Sequence, residues 1–188
     1  VAQLGYTLSV PSVVPTMNES TGQQKWFLVV GSGPDAKVVT EEDAGSTQKA
    51  RLAIIPLYEL AKGGVSLRIP DNAPDRSTPG VHEMSVSNSY VGSDFVAVDY
   101  NFDLFADIFY YGLVSEGKTS QGYRWGGGVY RLKVEDKNNP ENWDDPSKWG
   151  THLLVDTKAP VTGAPNIGWT DNQVWVYFGT GRYLTAHD

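Results

Sequence analysis

Nine consecutive residues carry the most specific chemistry in the chain: Asp99-Tyr100-Asn101-Phe102-Asp103-Leu104-Phe105-Ala106-Asp107. Side-chain oxygens stand at positions 1, 3, 5 and 9 of this run, on Asp99, Asn101, Asp103 and Asp107, and the backbone carbonyl of Phe105 at position 7 can add another. An all-oxygen set with three carboxylates suits Ca2+, which accepts irregular geometry at roughly 2.3–2.6 Å. A transition metal would draw on His or Cys, and the run has neither. The flanking segments Phe95–Val98 and Ile108–Tyr111 read as strands, so the run is expected to be the turn of a hairpin.

This is not an EF-hand, because Tyr110 stands where that loop places its bidentate Glu. Position 6, where such loops favour Gly, is Leu104, and holding a Leu left-handed costs roughly 1–2 kcal/mol, which lowers the expected affinity. The competing reading is a polar turn whose Asp and Asn side chains bond only their own backbone.

Other constellations point away from catalysis. Gly112-Leu113-Val114-Ser115-Glu116-Gly117-Lys118-Thr119 fits the phosphate-loop formula, but the Gly-rich residues after it cannot sustain the helix whose N-terminus would hold phosphates. The expectation is a loop between two strands that binds no nucleotide. No GxSxG pattern occurs, and His82, His152 and His187 each stand without a paired carboxylate, so nucleophilic hydrolysis finds no support and the chain reads as a non-enzyme. Asn18-Glu19-Ser20 meets the glycosylation formula, a frequent coincidence. Trp143 and Trp149 could meet a sugar or a protein partner, but packing over a sheet edge suits their apolar area better.

These residues need elements to hold them. Twenty Gly, eleven Pro and 12% aromatics, with no long apolar helical face, point to an all-β fold of short strands and tight turns. Strand-like runs lie at Tyr6–Val14, Trp26–Val30, Lys49–Ile55, Val65–Ile69, Phe95–Val98, Ile108–Tyr111, Val129–Val134, His152–Val155 and Val174–Phe178. A single short helix is expected over Leu57–Lys62, ended by Gly63-Gly64. Polar stretches at Gly31–Gln48, Pro70–Glu83 and Glu135–Trp149 read as surface loops.

One internal echo stands out: Trp26-Phe27-Leu28-Val29-Val30-Gly31-Ser32-Gly33 against Val174-Trp175-Val176-Tyr177-Phe178-Gly179-Thr180-Gly181, each preceded by Pro-x-[Val/Ile] at Pro11–Val13 and Pro165–Ile167. Strands that end on Gly-[Ser/Thr]-Gly suit the crowded inner position of a β-propeller blade, and the competing reading is two unrelated strands meeting Gly turns. At roughly 40–45 residues per blade, the chain holds about four antiparallel blades, too few to close a usual ring. Residues 1–188 are therefore expected to form a single propeller-like domain, a fragment of a longer propeller.

The net charge of -7 and scattered basic residues disfavour nucleic acid. Zero cysteines remove disulfides and thiolate metal sites. No apolar run approaches the roughly 20 residues of a membrane-spanning helix, and Val1 opens directly into an alternating segment, as if cut from something longer.

Several motifs together resemble one known family. In order they are Val91-Gly92-Ser93-Asp94-Phe95-Val96-Ala97-Val98-Asp99-Tyr100, Asp103 to Asp107, Tyr110-Tyr111-Gly112, Trp125-Gly126-Gly127-Gly128-Val129-Tyr130-Arg131-Leu132, Asn142-Trp143, Pro165, and Trp175 to Tyr183. They are similar to the C-terminal propeller of PilY-type proteins of type IV pili, and Leu4 to Pro11 with Val29 to Gly33 look like its preceding blade. The resemblance spans nearly the whole chain and is thinner across Pro34–Met84. It implies an exported protein of a Gram-negative bacterium, acting in pilus assembly, at the pilus tip or cell surface, and in adhesion. It further implies minor pilins as partners, a host or abiotic surface as a target, and calcium at Asp99, Asn101, Asp103 and Asp107 influencing pilus extension and retraction. Two alternatives stay open: a quinoprotein-like propeller oxidoreductase, which would need a cofactor pocket at the axis, and a purely structural calcium-stabilised extracellular propeller.

Overall fold

The computed structural model describes residues 4–18, 20–35, 45–62, 81–119, 122–134, 143–170 and 173–184. Three antiparallel sheets follow one another along the chain, as the all-β expectation requires. The first is a meander of β1 (Ser12–Met17), β2 (Gln24–Gly31), β3 (Arg51–Pro56) and β4 (Val81–Glu83). In the second, β5 (Ser89–Val91) and β6 (Val96–Val98) share one edge of the long β7 (Ile108–Thr119), whose other edge pairs with β8 (Gly122–Lys133) and then β9 (Gly150–Asp156). The third is a hairpin of β10 (Asn166–Thr170) and β11 (Gln173–Tyr177). The sheets form no closed barrel or ring among the described residues.

Side-chain alternation decides how the sheets stack. Phe27 and Val29 point one way from β2, and Phe109, Tyr111 and Leu113 point one way from β7, so both sets enter one core with Leu52, Ile54, Leu132 and Trp149. Fully burying each of the largest of these contributes about 1.5–3 kcal/mol, more than a typical hydrogen bond at about 0.5–1.5 kcal/mol. Face-to-face packing of the first two sheets is thus the main source of cohesion. Tyr111 is fully buried, stacks on Tyr130 at 5.9 Å and donates its hydroxyl to Met84 Sδ at 3.4 Å; burial pushes its phenol far above the usual range. The alternate residues of β7, Ile108 and Tyr110, face the opposite side and pack with Val98, Tyr100, Ile167 and Val176. The second sheet therefore lies between the first sheet and the β10–β11 hairpin.

The sequence echo is a structural repeat. Val13 pairs with Leu28 in the first sheet and Ile167 pairs with Val176 in the hairpin, positions that correspond when the two motifs are superposed. In each copy the last glycine donates back to the segment leading into its hairpin, Gly33 N to Leu4 O and Gly181 N to Pro160 O, both at 2.8 Å.

Several expectations need correction. Gly112–Thr119 is not a loop but the second half of β7, because Val129 to Gly122 of β8 pair with it residue by residue. Tyr6–Pro11 is not strand; β1 starts at Ser12, after Pro11, which has no amide to give a ladder. Three short strands went unread, β4, β5 and β10, since five residues or fewer carry little periodicity. Val81–Glu83 was expected in a loop and instead pairs with β3. The end of the Glu135–Trp149 stretch is not simply surface: Trp143 and Trp149 are buried, the latter edge-on to Phe27 at 5.0 Å, and Pro146–Lys148 forms a 3-10 turn. The helix arrives as expected, over Leu57–Ala61, directly after Pro56 ends β3. Val65–Ile69 and Gly63-Gly64 lie outside the described residues.

Glu83 pins the three-residue β4 to its neighbour. One carboxylate oxygen accepts from Lys49 Nζ at 3.0 Å and the other from Arg51 Nε and Nη2 at 3.2 and 3.0 Å. Burial alone would raise the Glu83 carboxyl, but the bonds and charges of Lys49 and Arg51 outweigh it and hold the group below its usual range. A depressed folded value means the stability is present above the ordinary carboxylate range and is lost as pH falls through the folded value. Glu83→Gln should lower neutral-pH stability by on the order of 1 kcal/mol, since the partners are part exposed, and should flatten the acid limb of a urea-denaturation series.

Backbone contact between units leaves no room for side chains at certain glycines. A Cβ on Gly112 would lie 2.4 Å from Val161 O and 2.5 Å from Val161 Cγ1, whereas one on Gly163 meets nothing within 4 Å. Gly112→Ala should cost about 1–3 kcal/mol by overpacking, and Gly163→Ala should be neutral or slightly stabilising, both read from denaturation midpoints.

Candidate metal centre

β6 and β7 pair antiparallel with Val98 opposite Ile108, so residues 99–107 form the hairpin turn that the spacing predicts. Asp107 N closes the turn on Val98 O at 2.9 Å. Inside it the carboxylates organise the backbone. Asp99 accepts from Asp103 N at 3.1 Å and from Leu104 N at 2.8 Å, one bond on each oxygen. Asn101 Oδ1 also accepts from Asp103 N at 3.1 Å, and Asn101 Nδ2 donates to Asp103 Oδ2 at 2.9 Å. Asp103 Oδ1 takes the Phe105 amide at 2.8 Å, and Asp107 Oδ2 takes the Tyr100 amide at 2.6 Å.

So much turning in nine residues forces two side-chain-bearing residues into the left-handed region, Phe102 at φ 61° and Leu104 at φ 75°. The Leu104 strain anticipated from its position is therefore present. Both side chains stand out in solvent, at 73% and 86% exposure, so no burial of their own offsets the cost.

The loop touches all three sheets. Ala106 N donates to Pro15 O of β1 at 3.1 Å. Trp169 of β10 meets Tyr100 edge-on at 5.5 Å and Phe102 at 5.2 Å, and the Tyr100 and Tyr110 hydroxyls are hydrogen bonded at 2.8 Å. Tyr100 and Phe102 thus face the hairpin, Ala106 turns to the first sheet, and the odd positions bear the oxygens.

Burial raises the Asp107 carboxyl above its usual range; the Tyr100 amide pulls it back, and the charges of Asp103 and Asp99 push it up again, leaving a net rise. Among the described residues no Lys or Arg forms an ion pair with Asp99, Asp103 or Asp107. The same residues hold no group of three His, Cys, Asp or Glu side chains poised on a common point as metal ligands. The two facts agree: the carboxylates are near enough to repel, yet each is turned to a loop amide. The structure brings Asp99, Asn101, Asp103, Phe105 and Asp107 into one loop with the donor chemistry of a hard cation.

The remaining sequence candidates fall elsewhere. His82 hydrogen-bonds through Nε2 with Pro146 O and His152 lies on the exposed β9, so neither joins the loop, while His187 lies outside the described residues. Asn18 closes the β1–β2 turn, accepting from Ser20 N and Thr21 N at 2.9 and 3.0 Å. Sequence reasoning missed a cleft of about 710 Å³ against β7, β8 and β9, walled by Trp125, Tyr130 and Asp156 among others. Its one signal was the run Trp125-Gly126-Gly127-Gly128, which bares the backbone in mid-strand.

Comparison with protein-family models, with curated proteins and with solved structures finds no match. No helix among the described residues is long and apolar enough to cross a membrane.

A carboxyl raised in the folded state binds protons on folding, so stability falls as pH rises from its unfolded value through its folded one. With calcium chelated, Asp107→Asn, which keeps an acceptor for the Tyr100 amide, should stabilise the chain at neutral pH and lose this acid-side gain. Equal parent and variant profiles between pH 3 and 7 in thermal melts would remove the electrostatic account.

Proposed function

We propose that the chain is a calcium-stabilised, non-enzymatic propeller module of a PilY-type protein, serving assembly and tip functions of a type IV pilus. The single Ca2+ is held by the side chains of Asp99, Asn101, Asp103 and Asp107 and by the Phe105 carbonyl. The observation that carries this reading is three carboxylates in one nine-residue turn with no basic partner among the described residues, one of them raised by burial first and then by the charges of the other two. Such a cluster gains most from a hard divalent cation, which replaces mutual repulsion with shared attraction. The two left-handed residues add to it, since a loop that carries this strain without burying the side chains involved has its compensation elsewhere.

The three stacked sheets and the repeated hairpin are read as successive blades of a larger propeller, and the motif resemblance supplies the exported, pilus-associated setting with minor pilins as partners and a surface as target. Because the loop contacts β1 and Trp169, cation occupancy would stiffen the junction of three blades and so bear on how the module holds its partners during extension and retraction.

Ligand that binds only the folded form stabilises it by RT ln(1 + [L]/Kd), about 2.7 kcal/mol at a hundredfold excess over Kd. The melting temperature should rise with Ca2+ and fall with chelator. Asp99→Ala and Asp107→Ala should each abolish the response, whereas Glu59→Ala on the exposed α1 and Leu104→Gly, which removes no ligand, should keep it. Calorimetry that detects no binding at millimolar calcium, or an Asp107→Ala protein that responds like its parent, would refute the site.

A further inference from the structure

We infer that the outer edge of β11 accepts one added β-strand from a second polypeptide, an apolar segment of the kind that β3 supplies to β2, paired antiparallel with Trp175 to Gly179 and clamped at Thr180. It takes from the blade reading only that the hairpin is the start of a sheet like the first. The two copies of the hairpin motif carry the argument. β2 pairs with β1 only as far as Val29, and its last two residues, Val30 and Gly31, are strand because Ala53 and Leu52 of β3 lie opposite them. Aligned on the motif, β11 pairs with β10 as far as Tyr177, the counterpart of Val29, and stops there. Phe178 and Gly179, the counterparts of Val30 and Gly31, run on without a ladder and are exposed. Among the described residues β11 has no strand on its other edge.

Hydrogen-bond directions in the first copy show what the second lacks. Gly31 N donates away from β3, to Ser9 Oγ at 3.2 Å, whereas Ser32 N donates to Arg51 O at the start of β3 at 2.8 Å. Amides alternate along a strand, so those of Leu28, Val30 and Ser32 face β3. Ser32 fastens the pair through its side chain as well, its Oγ accepting from Arg51 N at 2.8 Å. Thr180 stands at the place of Ser32 and keeps the hydroxyl. Among the described residues neither its amide nor its hydroxyl has a partner, and the Phe178 amide has none. The donor and acceptor that fasten β3 are thus repeated in the second copy with nothing to fasten.

The edge also lacks the devices that keep strands apart. β1 carries Pro15, β4 is three residues long and β9 is broken by a bulge opposite Val129 and Tyr130, but Gln173 to Gly181 hold no charge and no proline. The chain does not turn back at once to cover the edge itself: Gly181 N is bonded to Pro160 O, and the Arg182 guanidinium lies 3.4 Å over the Trp125 ring of β8. β3 defines the chemistry of the occupant. Its Leu52 and Ile54 share the face of Phe27 and Val29, whose counterparts Trp175 and Tyr177 are exposed. An added strand with aliphatic residues at the same alternate positions lays them beside the two rings, and main-chain bonds to the edge supply affinity. A second copy of β11 suits the place less well, since it brings two more uncovered rings to that face and no aliphatic cover.

The test titrates the purified chain, with calcium present, with a synthetic peptide of residues 49–57, which spans the β3 sequence, following tryptophan fluorescence and calorimetric heat. Saturable one-to-one binding is expected. A scrambled peptide, and the same peptide carrying Ile54→Lys, should bind about tenfold more weakly or worse. Phe178→Pro removes an amide that has no partner among the described residues, so it should abolish binding while near-ultraviolet circular dichroism and melting temperature stay at the parent values. Thr180→Val should weaken binding by about twofold to tenfold, the loss of one hydrogen bond, and Leu154→Lys on the β9 edge should change nothing. Peptide binding that survives Phe178→Pro, or no binding at millimolar peptide, would overturn the inference. So would a concentration-dependent dimer of the chain in sedimentation that Phe178→Pro abolishes, because the edge would then belong to a second copy. The melting response to calcium is recorded on the same samples, so a failed edge and a failed loop give separate results.

Discussion

Main chain meeting main chain along one seam is the constraint on which the rest of the molecule depends. Val91 N donates to Ser32 O at 2.8 Å, tying the second sheet to the first just past β2. Gly92 N donates to Gly112 O at 3.0 Å, and the Val161 carbonyl lies so close above both glycines that a Cβ on either would be under 3.0 Å from it. Gly31 faces the Val91 side chain in the same way, its Cβ position 2.6 Å from Val91 Cβ. Any side chain on these residues would pry the sheets apart, and the shared core of Phe27, Leu52, Tyr111 and Leu113 would lose its closure. The glycines at this seam are there for proximity rather than for turning.

From the seam outward, the second sheet does most of the organising. β7 runs for twelve residues and offers two apolar faces over its first half, one closed by the first sheet and the other by the hairpin. Its second half has no such cover on the inner face, and there the glycine run of β8 leaves a cleft. The candidate metal loop sits at the opposite end of the same strand. One long strand thus sets both the turn that gathers carboxylates and the cleft that gathers aromatic and acidic groups, at separate places.

The two copies of the Pro-x-[Val/Ile] hairpin show how context changes one pattern. In β1–β2 the inward residues are buried because β3 continues the sheet and the second sheet covers it. In β10–β11 the same register leaves Trp169, Trp175 and Tyr177 exposed, as no third strand joins the hairpin among the described residues. Ile167 and Val176 find cover against Val98, Ile108 and Tyr110, and Trp169 meets only the Tyr100 and Phe102 rings of the oxygen loop.

Composition and spacing by themselves determined the β class, the helix at Leu57, the nine-residue oxygen loop with its strained Leu104, and the existence of a repeated hairpin. Each depends on contacts between near neighbours: turn chemistry, alternation over five or more residues, side chains bonding amides two to five positions away. Tertiary structure decided what depends on distant chain segments. Val81–Glu83 is strand because Lys49 and Arg51 hold Glu83 beside β3. Trp149 is buried because Phe27, more than a hundred residues earlier, supplies the ring it meets. The cleft lay beyond sequence reading for the same reason, since Leu113, Tyr130 and Asp156 wall one cavity only once three strands have been brought together, and no local periodicity encodes that meeting.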